Sequence, residues 1–178
     1  NAGGVSNLTA GVGVAPGWWG GLFMIPQGEW YTTAGIAFTS HAYAHDPGAS
    51  SYGMEAAAAL GLAPATVFKT LLAMVDGDPA VAIVPVDATL DLKALAAVRG
   101  GRRAEMAQGP IAQRLTGYVV GGISPVGQKR RLPTVIDVSA EDLPTMYVSG
   151  GQRGFDIGLA PADLQRMTQA VFAAIARR

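Results

Sequence analysis

A chain of 178 residues, 49% apolar and 15% charged, is long enough to bury one core and too short for two comfortable domains. Its formal net charge of zero excludes a global positive field for nucleic acid, so any RNA contact has to come from local basic patches. The absence of cysteine excludes a disulfide framework, a thiolate nucleophile and a Cys-based zinc site; no run of about 18 apolar residues and no signal-like leader is present, so a cytoplasmic protein is expected.

The first thirty residues carry one charge, Glu29, and are crowded with glycine, including Gly17, Gly20, Gly21 and Gly28. Neither helix nor strand is legible there, and residues 1–34 are read as an atypical Gly-rich segment, non-native or misassigned, ahead of one domain over residues 35–178. Residues 36–41 read as a short strand, followed by a loop at residues 46–50. Ser51 can cap a helix that runs through Ala56 and Ala59 and ends at Gly61. Residues 67–75 and 80–86 are strands, and Asp76-Gly77-Asp78 between them makes a hairpin turn. Asp91 caps a helix through Leu92, Leu95 and Val98, stopped by Gly100 and Gly101, and a second short helix covers residues 110–115. Further strands are predicted at residues 118–120, 134–138, 145–148 and 155–159, with a turn at residues 150–154. Pro161 then opens an amphipathic helix carrying Leu164, Met167, Val171 and Ile175 on one face to the end of the chain.

Lys69 lies on one strand face with Val67 and Leu71. An ammonium among apolar neighbours either snorkels to water or serves an anion or a carbonyl. Gly121-Gly122-Ile123-Ser124-Pro125 describes either an ordinary turn or a cradle whose backbone N–H groups approach a ligand closely. Beside it, Lys129, Arg130 and Arg131 form either a solvated face or a seat for a phosphate backbone. His41 and His45, the only histidines, stand in strand and loop text before Pro47 rather than on a helix, which argues against a metal pair. No nucleophile-elbow motif accompanies them, so neither a metal, nor a cofactor, nor a serine triad is expected.

Several motifs occur in order: His41-Ala-Tyr43-Ala-His45-Asp46-Pro47, Val67-Phe68-Lys69-Thr70-Leu71, Leu90-Asp91-Leu92-Lys93, Thr116-Gly117-Tyr118 through the Gly121 to Pro125 loop to Gln128-Lys129-Arg130-Arg131-Leu132-Pro133-Thr134, and Tyr147-Val148-Ser149-Gly150-Gly151. Over roughly residues 35–178 the chain resembles the YbaK branch of the prolyl-tRNA synthetase editing-domain superfamily. The resemblance implies a single α/β (α+β) domain with a curved, mixed, largely antiparallel sheet and surrounding helices. It implies hydrolysis of mischarged Cys-tRNA(Pro), and to some degree Cys-tRNA(Cys), in trans alongside prolyl-tRNA synthetase. The substrate thiol attacks its own ester and releases a cyclic thiolactone.

By the same resemblance Lys69 meets the terminal adenosine and its ester, and the loop of Gly121, Gly122, Ile123, Ser124 and Pro125 shapes the aminoacyl site, with Gly121 and Gly122 polarising the carbonyl. Tyr43, Tyr52, Thr70, Ser149 and Asp156 line the same pocket, Tyr52 standing where the family pattern has phenylalanine, and Lys129, Arg130 and Arg131 contact tRNA. Two rival functions stay open: water-driven removal of another small amino acid such as alanine, and a non-catalytic module that binds tRNA or synthetase.

Overall fold

The computed structural model describes residues 36–178 and, ahead of them, the backbone of two strands, β1 (Leu22–Met24) and β2 (Trp30–Thr32), which pair antiparallel. The Gly-rich sequence there makes no strand legible; two paired strands draw their backbone bonds from each other and need no strong local signal. The rest of the reading of residues 1–34 lies outside the described residues.

Strand β3 (Phe38–Ala42) leads through a turn at Asp46 into α1 (Tyr52–Leu60). The Ser51 hydroxyl accepts from the Met54 N–H at one end, and left-handed Gly61 (φ 66°) closes the other. Next come β4 (Phe68–Val75) and β5 (Asp78–Pro85), an antiparallel hairpin. Its turn residues Asp76 (φ 48°) and Gly77 (φ 89°) both have positive φ, the type I′ geometry that matches strand twist. The Asp76 carboxylate also accepts from the Arg102 and Arg103 N–H groups at 2.8 and 3.0 Å, which fixes the approach of a later strand.

The chain continues with β6 (Thr89–Leu90), α2 (Leu92–Val98) capped by Asp91, β7 (Ala104–Met106), α3 (Gly109–Thr116), β8 (Thr134–Asp137), β9 (Met146–Gln152), β10 (Phe155–Leu159), α4 (Pro161–Thr168), β11 (Val171–Ala173) and β12 (Ala176–Arg177). The strands form a mixed, mostly antiparallel arrangement. A five-stranded sheet has the order β11-β8-β5-β4-β7, with parallel pairing only at β8, and a three-stranded antiparallel sheet has the order β3-β10-β9. A parallel bridge between Val67 and Tyr147 joins the two at the start of β4. Among the described residues no helix is long and apolar enough to cross a membrane.

Both faces of the larger sheet are covered. Phe68, Leu72, Val81, Ile83 and Ile136 pack with Val148 and Ile157 of the smaller sheet and with Ala112 and Leu164 of the helices. Ala73, Ala82, Val84 and Val135 on the opposite face meet Leu95 and Ile175.

Two expectations are corrected. Residues 118–120 are not a strand: Gly117 ends α3 in the left-handed region, and a turn follows at once. The Tyr118 hydroxyl donates to the Val126 carbonyl at 2.7 Å, so the segment folds on itself instead of finding a partner strand. The final helix stops at Thr168, where Gln169 turns left-handed (φ 53°). Beyond it the chain becomes β11, which pairs parallel with β8, and β12, which pairs with β6. Buried Asp137 decides this. Its carboxylate accepts from the N–H groups of Ile175 and Ala176 at 2.9 and 2.8 Å and from Ser139 at 3.1 Å, and helical continuation would withdraw the first two donors.

Candidate active site

Strand β4 has β5 along one edge for its whole length, but β7 covers its other edge only from Ala73 to Val75. The Leu72 carbonyl accepts from the Ala107 N–H on that outer side, while Val81, opposite Leu72, sends its own N–H away to Pro133. Leu72 and Val81 are therefore a non-hydrogen-bonded pair, and two residues along so are Thr70 and Ile83. The backbone N–H and C=O of Thr70 thus point outward, along an edge that no strand covers.

A cavity of about 370 Å³ opens beside that edge. It is bounded by Val67 and the first half of β4 as far as Leu72, by the start of α1, by the segment leading into α3, and by Ser149 and Asp156 on β9 and β10. Eight of the sequence-predicted residues line it: Lys69 and Gly121 together, with Tyr43, Tyr52, Thr70, Ile123, Ser149 and Asp156. Lys69 and the glycine loop, 52 residues apart in sequence, thus border one space.

Gly122, Ser124 and Pro125 stand behind this wall rather than on it. The Gly122 N–H donates to the Val119 carbonyl at 3.0 Å, closing a turn, so it is already used. The Ser124 side chain, 1% exposed, accepts from the Val126 N–H, and its carbonyl accepts from the Gln128 amide. Lys129, Arg130 and Arg131 are exposed and lie outside the lining, Lys129 being tied to the end of α3 through its N–H and the Thr116 carbonyl. The histidines have other work: His45 Nδ1 meets the Glu55 carboxylate at 2.9 Å, and His41 Nε2 meets the Thr39 hydroxyl at 2.7 Å. Among the described residues no group of three or more His, Asp or Glu side chains could hold a metal ion.

Sequence reasoning missed Met106, Gly109 and Val120 on the wall. Met106 belongs to a three-residue strand too short to show a period, and only the fold brings it to the cavity.

The electrostatics follow from burial. Lys69 is partly buried, and desolvation lowers its pKa while the negative charge of Asp87 opposes the shift. Asp156 is 6% exposed, and burial pushes its carboxyl up to about 7. Burial, together with the charge of Asp156, raises the Tyr43 phenol to about 12, so it stays a donor at neutral pH. The Thr70 hydroxyl is buried with no hydrogen-bond partner among the described residues. A buried polar atom without a partner costs free energy because it has given up its hydrogen bonds to water, and a bound ligand would remove that cost. The cavity therefore combines a cation, a carboxyl group that titrates near neutrality, and unpaired backbone and hydroxyl groups in a largely apolar wall, a set suited to a polar ester.

The model of the aminoacyl-tRNA editing domain family matches residues 46–167. A protein of Enterococcus faecalis named "Putative Cys-tRNA(Pro)/Cys-tRNA(Cys) deacylase EbsC" is 38% identical over 120 residues, covering 67% of this chain and 73% of that protein. A proline–tRNA ligase of Geobacter metallireducens is 34% identical over 94 residues, covering 53% of this chain but only 16% of the ligase. Among solved structures, one described as "a putative trans-editing enzyme for prolyl tRNA synthetase" superposes with a TM-score of 0.69 at 23% identity, over 82% of this chain and 89% of that one, which speaks for the fold.

Proposed function

We propose, from the premise that this chain belongs to the aminoacyl-tRNA editing domain family, that it deacylates mischarged Cys-tRNA(Pro) in trans, with residues 35–178 as the working unit. The observation that carries the reading is the meeting of Lys69 with Gly121 on one cavity, in a chain that has no cysteine of its own. An aminoacyl ester is already activated, so the enzyme need only orient it and stabilise the developing oxyanion. The substrate thiol supplies the nucleophile. Its sulfur bonds to the acyl carbon, the bond from that carbon to the tRNA 3′-oxygen breaks, the thiol proton ends on that oxygen, and the products are a cyclic thiolactone and free tRNA.

Lys69 places its positive charge at the ester and the neighbouring phosphate, and the Gly121 N–H faces the carbonyl oxygen. Asp156 carries the thiol proton. Tyr43, Tyr52, Thr70, Ile123 and Ser149 hold the aminoacyl ribose. Gly122, Ser124 and Pro125 act from behind by fixing the loop, and Lys129, Arg130 and Arg131 meet the tRNA backbone outside the cavity. Prolyl-tRNA synthetase is the natural partner, in the cytoplasm where charging occurs.

The amino acid series tests the reading. At saturating enzyme, single-turnover clearance of cysteinyl-tRNA(Pro) should exceed that of seryl-tRNA(Pro) and alanyl-tRNA(Pro) by a factor of about 10² or more, the scale lost when a catalytic group is removed. Equal rates for cysteine and serine would replace the thiol by an activated water. Clearance of alanine alone would move the function to that residue, and no clearance of any ester would leave a binding module.

A pH profile separates the proton carrier. The raised pKa of Asp156 means that the carboxylate is a minority below about 7 and the majority above it, so the clearance rate should climb through that value. In Asp156→Asn the rate should fall and this limb should vanish. A limb of unchanged position in the variant would assign it to the substrate thiol instead.

A further inference from the structure

We infer that Arg153 is a positioning residue for the deacylation proposed above: by holding the Val120 carbonyl it sets the plane of the Val120–Gly121 peptide and aims the Gly121 N–H into the cavity. The inference rests on that functional reading, and its ground is the turn at residues 119–122. The Gly122 N–H closes the turn on the Val119 carbonyl at 3.0 Å, Gly121 in its third position has φ 86°, and Val120 in its second is not among the positive-φ residues. This is a type II turn. Types I and II differ chiefly by a half-rotation of the central peptide, here the one joining Val120 to Gly121.

Glycine accepts either sign of φ, so the turn's own sequence does not choose between the two forms. Arg153 does. Its Nε and Nη2 both donate to the Val120 carbonyl oxygen, at 3.0 and 2.7 Å, from the tight turn between β9 and β10. In a planar trans peptide the C=O and the following N–H point in opposite directions. With the carbonyl drawn to the guanidinium, the Gly121 N–H faces away from Arg153, and Gly121 borders the cavity. A flipped peptide would present a carbonyl there, which repels an oxyanion.

The surroundings hold the same geometry from two more sides. The guanidinium carbon lies 4.8 Å from the centroid of the Tyr52 ring. That ring sits so close to Gly121 that an added Cβ would stand 2.7 Å from it. Behind, a Cβ on Gly122 would come within 3.0 Å of the backbone of Gln152 and Arg153. The loop is thus wedged between Tyr52 and the β9–β10 turn, and Arg153 is the one member of the wedge that grips the central peptide. Arg153 is exposed, so replacing it leaves the core intact.

The test uses Arg153→Met, which keeps a long stem against Tyr52 but has no donor, and Arg153→Lys, which restores a single donor. With cysteinyl-tRNA(Pro), Arg153→Met should lose about 10- to 100-fold in kcat, less than the outright removal of an oxyanion donor, while KM stays within about twofold. Arg153→Lys should recover part of that loss. A second readout needs no substrate: the amide nitrogen and proton shifts of Gly121 should move in Arg153→Met, while those of Gly117 stay in place. Unchanged kcat, a loss confined to KM, or an unmoved Gly121 amide overturns the positioning role. If the wild-type protein clears no ester, the functional reading fails, and the amide shift still decides whether Arg153 sets the peptide plane.

Discussion

Replacing Lys69 by alanine is expected to slow clearance of cysteinyl-tRNA(Pro) by about 10²- to 10³-fold, the usual consequence of removing a positioned charge near a developing oxyanion. Lys69 stands on the first half of β4, opposite Val84, where β5 fixes its height and no outer strand covers it. Among the described residues it has no ion pair within 4.0 Å, and Asp87 acts on it only as a more distant charge. A desolvated ammonium without a close counter-ion is a stability cost, so it is available to an incoming anion at little further expense. Two controls separate charge from packing. Lys69→Met retains the apolar stem and should lose as much activity as Lys69→Ala, with a thermal midpoint equal to the wild type or higher. Lys69→Arg should not restore the rate, because a planar guanidinium cannot occupy the place of a compact ammonium. Single-turnover rates and thermal melts of the three variants read all of this; an undiminished rate in either Lys69→Ala or Lys69→Met removes the lysine from the mechanism.

Asp137→Ala should produce the largest loss of stability, about 3–6 kcal/mol if its three donors, one buried and two partly buried, each forfeit about 1–2 kcal/mol. That is a large share of the roughly 5–15 kcal/mol that holds a domain together. The residue is 4% exposed at the end of β8, and its two oxygens serve the N–H groups of Ser139, Ile175 and Ala176. Burial alone would raise its pKa, but the hydrogen bonds from Ser139, Ile175 and Ala176 outweigh burial and hold the net value below the ordinary carboxylate range. A folded pKa below the unfolded one gives stability that is complete above the unfolded value and is lost as pH falls through the folded one. Urea midpoints should therefore drop for Asp137→Ala at pH 7, and the gap between variant and wild type should narrow on acidification. Asp137→Asn, which keeps an acceptor oxygen, should cost less. A midpoint for Asp137→Ala within experimental error of the wild type would show that the C-terminal strands hold without this clasp.

The local grammar of the chain was legible because its signals act over a few residues. Ser51 and Gly61 bound α1, Asp91 caps α2, and Asp76-Gly77 turns β4 into β5, each through a bond or a dihedral preference contained within one turn. The site residues were legible by resemblance rather than by pattern: on pattern alone Lys69 could equally have been a snorkelling strand lysine, and only its place on the cavity with Gly121 favours the ligand role. What the tertiary structure alone decided are the matters in which a residue answers to a distant partner. Leu164, Met167, Val171 and Ile175 have helical spacing, yet Asp137, 38 residues from Ile175, takes the backbone donors that a helix would need and makes strands of the end of the chain. The strand propensity of residues 118–120 yields to the turn after Gly117 and to partners outside the segment: the Val126 carbonyl takes the Tyr118 hydroxyl, and Arg153 reaches back 33 residues to the Val120 carbonyl. Periodicity and propensity measure what a segment prefers alone; a buried carboxylate or a guanidinium from elsewhere in the fold offers its backbone stronger partners, and those partners decide.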